Sequence, residues 1–153
     1  MKILLVSDSH GHEQVLKDLY QQYPKIDLYL HAGDSGLDIS SIYPYISVKG
    51  NCDYYPFDEL YRTYTPAGYL LMKHKPFFSP KELKENKILV HGHTHEAFVK
   101  EENGHILLCP GSTSLPRDNT DGTYIILDLS EKSSTIIIYD INTKSVLYKY
   151  EIR

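Results

Sequence analysis

The stretch Lys2-Ile3-Leu4-Leu5-Val6-Ser7-Asp8-Ser9-His10 decides how the rest of the chain is read. Ile3 to Val6 is an unbroken apolar, β-prone run that stops on polar residues. A strand with no apolar/polar alternation is one buried on both faces. The same pattern returns in Asp27-Leu28-Tyr29-Leu30-His31-Ala32, halted by Gly33-Asp34, and over residues 45–49, halted by Gly50-Asn51. Between the first two runs lies His12-Glu13-Gln14-Val15-Leu16-Lys17-Asp18-Leu19-Tyr20. There Val15, Leu16 and Leu19 share one helical face, and Pro24 follows the end. Strand, helix, strand, each strand ending in polar residues, predicts an α/β sheet that binds ligands beyond its strand ends.

From residue 60 onward strands dominate. Tyr61–Thr65 and Tyr69–Met72 flank the turn signal Pro66-Ala67-Gly68 and predict a hairpin. Ser79-Pro80-Lys81-Glu82-Leu83 predicts a short helix, with Ser79 as N-cap and Pro80 at the first helical position. Ile88-Leu89-Val90 is a further strand, and residues 97–109 form a hairpin around Glu102-Asn103-Gly104. Runs 122–129, 134–141 and 145–152 make the C-terminal part strand-rich. Two sheets packed face to face, with few helices outside, is the economical architecture. No linker or repeat interrupts residues 1–153, so a single domain is expected.

A net charge of -4 with scattered lysines gives no clear nucleic-acid surface and no attraction to anionic membrane. Two cysteines, Cys52 and Cys109, make neither a CxxC pair nor a disulfide framework. The apolar N-terminal run is too short for a signal peptide or a membrane span, so a cytoplasmic location is expected.

The chemistry lies in the polar clusters after the strands: Asp8-Ser9-His10, Gly33-Asp34, Gly50-Asn51-Cys52-Asp53, and Gly92-His93-Thr94-His95, with His74 following Leu70-Leu71-Met72. Carboxylates, imidazoles and one amide suit Mn, Fe, Zn, Ni or Co better than Ca or Mg. Asp8 and His10 stand two apart, as do His93 and His95, so an extended backbone would put each pair on one face. Glycines 33, 50 and 92 allow sharp turns and close backbone approach.

The order DxH, GD, GNCD, His, GHTH resembles that of the calcineurin-like metallophosphoesterases, most closely their small YfcE-type phosphodiesterase branch. The resemblance runs from Lys2 to about Ser114 and includes Pro110-Gly111-Ser112. It implies a four-layered αββα sandwich of two mixed β-sheets flanked by helices. It implies two divalent metal ions, manganese first among them. Asp8, His10 and His95 would hold one, Asn51, His74 and His93 the other, and Asp34 would bridge them. A hydroxide shared by the ions would attack a small phosphodiester or other phosphorylated substrate. Asn51 and Cys52 are the candidate substrate contacts.

Two departures stand out. Cys52 occupies a position where many relatives have His, which leaves the general acid unassigned. Lys75-Pro76 follows His74 where Gly is usual, so His74 is the position the sequence supports least. Gly33-Asp34-Ser35-Gly36-Leu37-Asp38 lacks the Arg of GDxVDRG, which argues against a phosphoprotein phosphatase. The alternative to an enzyme is a non-catalytic Vps29-like protein-binding scaffold. Retention of all seven candidate ligands favours the enzyme.

Among the other residues, His31 is expected as a hydrogen-bonded core residue and His91 as pointing away from the ligands. Cys109 is expected as a small buried hydrophobe, and Arg117 as a surface partner of Asp118. The Tyr- and Phe-rich segment 54–78 could cover the site or a homo-oligomer contact.

Overall fold

Two-sided burial of the apolar runs is met by stacking two sheets and covering them from outside. In the computed structural model, which describes residues 1–152, the elements are β1 (Lys2–Val6), α1 (Glu13–Gln22), β2 (Leu28–His31), α2 (Ile39–Ile42), β3 (Ile46–Ser47), β4 (Leu60–Thr65) and β5 (Gly68–Lys73). They continue with α3 (Pro80–Glu85), β6 (Ile88–Val90), β7 (Ala97–Glu102), β8 (His105–Pro110), β9 (Thr123–Asp128), β10 (Ser134–Asp140) and β11 (Val146–Ile152). One sheet has the order β11-β10-β9-β1-β2-β3 and the other β4-β5-β6-β8-β7.

Both sheets are mixed. β1 runs parallel to β2 and antiparallel to β9, and β2 runs parallel to β3. In the second sheet β6 runs parallel to both β5 and β8, whereas β4 and β7 close its edges antiparallel. The parallel strands β1, β2 and β3 therefore end on one rim, and β5 and β6 end on one rim of their own sheet.

Alternation sorts the side chains into layers. Ile3, Leu5, Leu30, Leu70, Met72, Ile88, Val90, Ile106 and Leu108 share the core between the sheets. Their neighbours Leu4, Val6 and Tyr29 face the other way, against Leu16 and Leu19 of α1 and Ile42 of α2. The layer over the second sheet is thinner: α3 has six residues and buries none of them. Ser79 caps it and Pro80 stands in the first turn, as the sequence predicts, and Glu82 completes a capping box with Ser79.

The expected strand at 45–49 is shorter than its sequence suggests, with only Ile46–Ser47 paired. The chain must already turn at Val48 and Lys49 to bring Gly50 beside Asp34. No helix is long and apolar enough to cross a membrane.

Leu30 is wholly buried between the sheets, and Val146 is 56% exposed on the edge strand β11. Leu30→Ala should cost about 2–5 kcal/mol in urea unfolding, whereas Val146→Ala should stay within about 0.5 kcal/mol.

Candidate metal centre

Asp8 and His10 follow β1, Asp34 follows β2, Asn51 follows β3, His74 follows β5, and His93 and His95 follow β6. The structure gathers all seven side chains into one contiguous cluster. His95 Nε2 lies 3.3 Å from Asp8 Oδ1 and 3.3 Å from His10 Nε2. His74 Nε2 lies 3.2 Å from Asp34 Oδ2 and 2.9 Å from Asn51 Oδ1, which in turn is 3.1 Å from His93 Nδ1. His10 Nε2 stands 3.9 Å from both Asp8 Oδ1 and Asp34 Oδ2, between the two halves. Lys75 and Pro76 do not displace His74: the ring is buried, and its Nδ1 donates to Ala32 O at 2.8 Å.

The backbone achieves this differently from the expected extended spacing. Asp8, His10, Asp34, His93 and His95 have φ of 52°, 45°, 60°, 73° and 60°. Left-handed backbone at a non-glycine residue costs on the order of 1–3 kcal/mol and persists only where its surroundings enforce it. Here the enforcing contacts are Asp8 N–H to Gly33 O (3.0 Å), His10 N–H to Asp34 O (2.9 Å) and His93 N–H to Asp8 Oδ2 (3.0 Å). Two close approaches need glycine. A Cβ on Gly50 would fall on the Asp34 carboxylate, and one on Gly92 would fall on the Ser7 and Asp8 side chains.

The donors fit a cation. His74 Nδ1 and His95 Nδ1 each face a carbonyl, Ala32 O and Leu115 O (2.7 Å), and can only donate to it. When neutral, each ring therefore points an Nε2 lone pair at the carboxylates and other acceptors of the cluster. Asp8 Oδ1 is buried without any hydrogen-bond donor, the single such side-chain atom among the described residues. Lone pairs converging on an unsatisfied carboxylate oxygen call for a positive charge between them. Three groupings have ligand atoms within 4.8 Å of one another: Asp8, His10 and His95; Asp8, Asp34 and His74; and His10, Asp34 and Cys52. Asp8 thus enters two groupings, although the resemblance gives only Asp34 a bridging place.

Burial pushes the Asp8 carboxyl up, against the Ser7 hydrogen bond and the His74 and His95 rings. Burial also opposes ionisation of Asp34, but the neighbouring His74 ring (3.2 Å), when protonated, and the Cys52 N–H (2.8 Å) outweigh it and hold that carboxyl at about 2. For His74, burial lowers the pKa, yet the Asp34 contact and the Ala32 carbonyl raise it on balance. The Asp34 carboxylate, together with desolvation, raises the exposed Cys52 thiol.

Several supporting residues carried no role in the sequence reading. Ser7 Oγ donates to Asp8 Oδ2 at 2.5 Å. Asp53, quoted within its cluster but unassigned, accepts from the N–H groups of Asp34 (3.0 Å), Gly50 (2.8 Å) and Gly36 (3.0 Å), tying two ligand loops together. Ser112 Oγ donates to Asp8 O (2.7 Å) and accepts from Leu115 N–H (2.7 Å), fixing the turn whose carbonyl meets His95. Only buried polar side chains with several backbone partners give such a signal, and a sequence does not display it.

His31 is a buried hydrogen-bonded residue, as expected. Its Nδ1 accepts from Gly33 N–H (3.1 Å), so the proton sits on Nε2, 2.9 Å from Ser9 Oγ. His91 lies on the outer side of the second sheet, beside Phe98. Cys109 is fully buried, and burial pushes its thiol to about 12. The expected Arg117–Asp118 pair does not form among the described residues. Asp118 accepts from Ala97 N–H (2.7 Å) and the Thr120 hydroxyl (2.6 Å), while the Arg117 N–H reaches His95 O (2.9 Å).

Residues 1–132 match the calcineurin-like phosphoesterase superfamily domain, and the chain belongs to that superfamily. It is 32% identical over 155 residues to the probable metallophosphoesterase YsnB of Bacillus subtilis, covering 92% of this chain and 91% of that one. It is 28% identical over 120 residues to the phosphodiesterase YfcE of Escherichia coli, covering 70% of this chain and 62% of that one. The YfcE structure superposes with a TM-score of 0.79 at 21% identity, covering 100% of both chains. A Vps29 structure from Entamoeba histolytica gives 0.76 at 22% identity over 100% of both, a likeness of fold.

His31 makes stability pH-dependent. Burial lowers its folded pKa to about 3, below the unfolded value. The unfolded chain then binds the extra proton between about pH 6.5 and 3, so the His31 contribution is complete above about pH 6.5 and lost as pH falls. In EDTA, the fall in unfolding free energy from pH 6 to pH 4 should be shallower in His31→Gln, by up to about 1.4 kcal/mol per pH unit.

Proposed function

We propose that the chain is a cytoplasmic phosphodiesterase that works with two divalent ions, manganese by preference. The observation that carries this reading is the unsatisfied, buried Asp8 Oδ1, facing the His95 Nε2, which carries no hydrogen when that ring is neutral. Asp8, His10 and His95 would hold one ion, Asn51, His74 and His93 the other, with Asp34 between. When bound, such ions lower the pKa of a water and screen the charge of a phosphate. Membership of the superfamily and the likeness to YfcE support the phosphoester substrate class.

The chain's own residues supply orientation. Asn51 turns its Oδ1 toward His74 and His93; its amide nitrogen donates toward the Cys52 sulfur at 3.5 Å and has a second N–H for a phosphate oxygen. Cys52, adjacent and exposed, is a second candidate substrate contact; in the ion-free site the Asp34 carboxylate beside it raises its thiol pKa. The carbonyls of Ala32 and Leu115 fix the tautomers of His74 and His95 before any ion arrives. A non-catalytic scaffold of Vps29 type shares the fold, and retention of all seven candidate ligands supports the enzyme instead.

Mass spectrometry of the full chain after loading with Mn should find about two ions, and bis(p-nitrophenyl) phosphate should be hydrolysed in a Mn-dependent way. Asp34→Asn should lower kcat by at least about 100-fold, since even outer-shell partners of metal ligands are worth 10–100-fold. Unchanged turnover in Asp34→Asn would remove the site from the reaction. Absence of both metal and turnover would leave the scaffold.

A further inference from the structure

A cleft of about 640 Å³ opens beside Asn51 and His74. A phosphate group occupies only a small part of such a volume, which is in the range that holds a whole small organic ligand. Its lining is mostly polar, but Phe77 and Leu60 also line it and are 73% and 48% exposed. An exposed phenyl ring on a cleft wall is a stacking platform. Phe77 is also anchored, because Lys73 Nζ donates to its carbonyl at 2.9 Å and pairs with Glu82 at 3.0 Å.

The remaining charges narrow the ligand. Lys49 and Lys75 line the cleft two residues before Asn51 and one after His74, and neither has an ion-pair partner among the described residues. They favour an anion at the end where the phosphate sits. Glu59, also without an ion-pair partner, lines the same cleft and disfavours a second phosphate there. A carboxylate accepts hydrogen bonds from hydroxyls and amines instead. A flat ring, hydroxyl or amine donors, and one phosphate attached are the parts of a nucleotide.

We propose that this cleft is a nucleoside subsite: it seats the sugar and base of a nucleoside esterified to the phosphate at Asn51, with the base against Phe77. The proposal rests on the phosphoesterase reading for which end of the ligand carries the phosphate. It makes Phe77 a specificity residue, and it places Lys75, the departure from the usual glycine, at the phosphate end of the cleft.

The test is calorimetric titration of the full chain with adenosine monophosphate and with ribose 5-phosphate, once with Mn and once with EDTA. The base should strengthen binding at least about fivefold, the low end of base–aromatic stacking. Phe77→Ala should abolish that advantage and Phe77→Tyr should keep it; the exposed position makes both variants safe for folding. Equal affinities in the unaltered chain, or binding of neither compound, would overturn the subsite. Hydrolysis of methyl p-nitrophenyl phosphate by the unaltered chain reports separately on the phosphoesterase reading. Turnover of that ester with no preference for adenosine monophosphate removes the subsite alone. A nucleotide preference without any turnover keeps the subsite and removes the enzyme.

Discussion

A buried carboxylate oxygen that meets no donor is costly unless a cation stands in front of it, and Asp8 Oδ1 is placed in that position. The surrounding groups deepen the requirement. The Asp8 partner oxygen is already occupied by Ser7 and the His93 N–H, so the carboxylate cannot rotate to relieve its other oxygen. His95 and His74 cannot turn to donate, because their second nitrogens are committed to Leu115 O and Ala32 O. The cluster is therefore built to have a positive charge in front of Asp8 Oδ1.

That requirement explains why local structure breaks ordinary rules here. Five of the residues in the cluster adopt left-handed backbone, and glycines stand where any Cβ would strike a ligand carboxylate. Each feature alone destabilises the fold. The sandwich can carry them because its strands are wholly buried on both sides, from Ile3 and Leu5 within to Leu4 and Val6 without. Parallel strands deliver five turns to one neighbourhood, so rigidity in the sheets becomes precision at the rim.

The loop after His74 shows how a departure in one motif can leave the ligand in place yet alter its surroundings. His74 keeps its carbonyl partner, while Lys75, Phe77 and the short α3 form one side of an open cleft. Superfamily membership supports phosphoester chemistry, whereas this loop bears on what is bound beside it. The same thin layer leaves the second sheet less covered than the first, where α1 packs Leu16 and Leu19.

The sequence by itself determined the strands, because an unbroken apolar run such as Ile3–Val6 is stable only when buried on both faces. It determined the short helix at Pro80, because Ser79 caps it locally and Pro80 suits its first position. It also determined the candidate ligands, because polar residues cannot continue a buried strand and so mark its end. Only the tertiary structure decided that Asp8 and His10 converge through left-handed turns, since the alternative extended spacing satisfies the same sequence. It decided the roles of Asp53 and Ser112, whose partners lie on other loops. It decided that Arg117 stays apart from Asp118, because a backbone N–H on β7 competes for the carboxylate. Local patterns constrain what a residue can do, but hydrogen bonds between distant loops select which of those options is used.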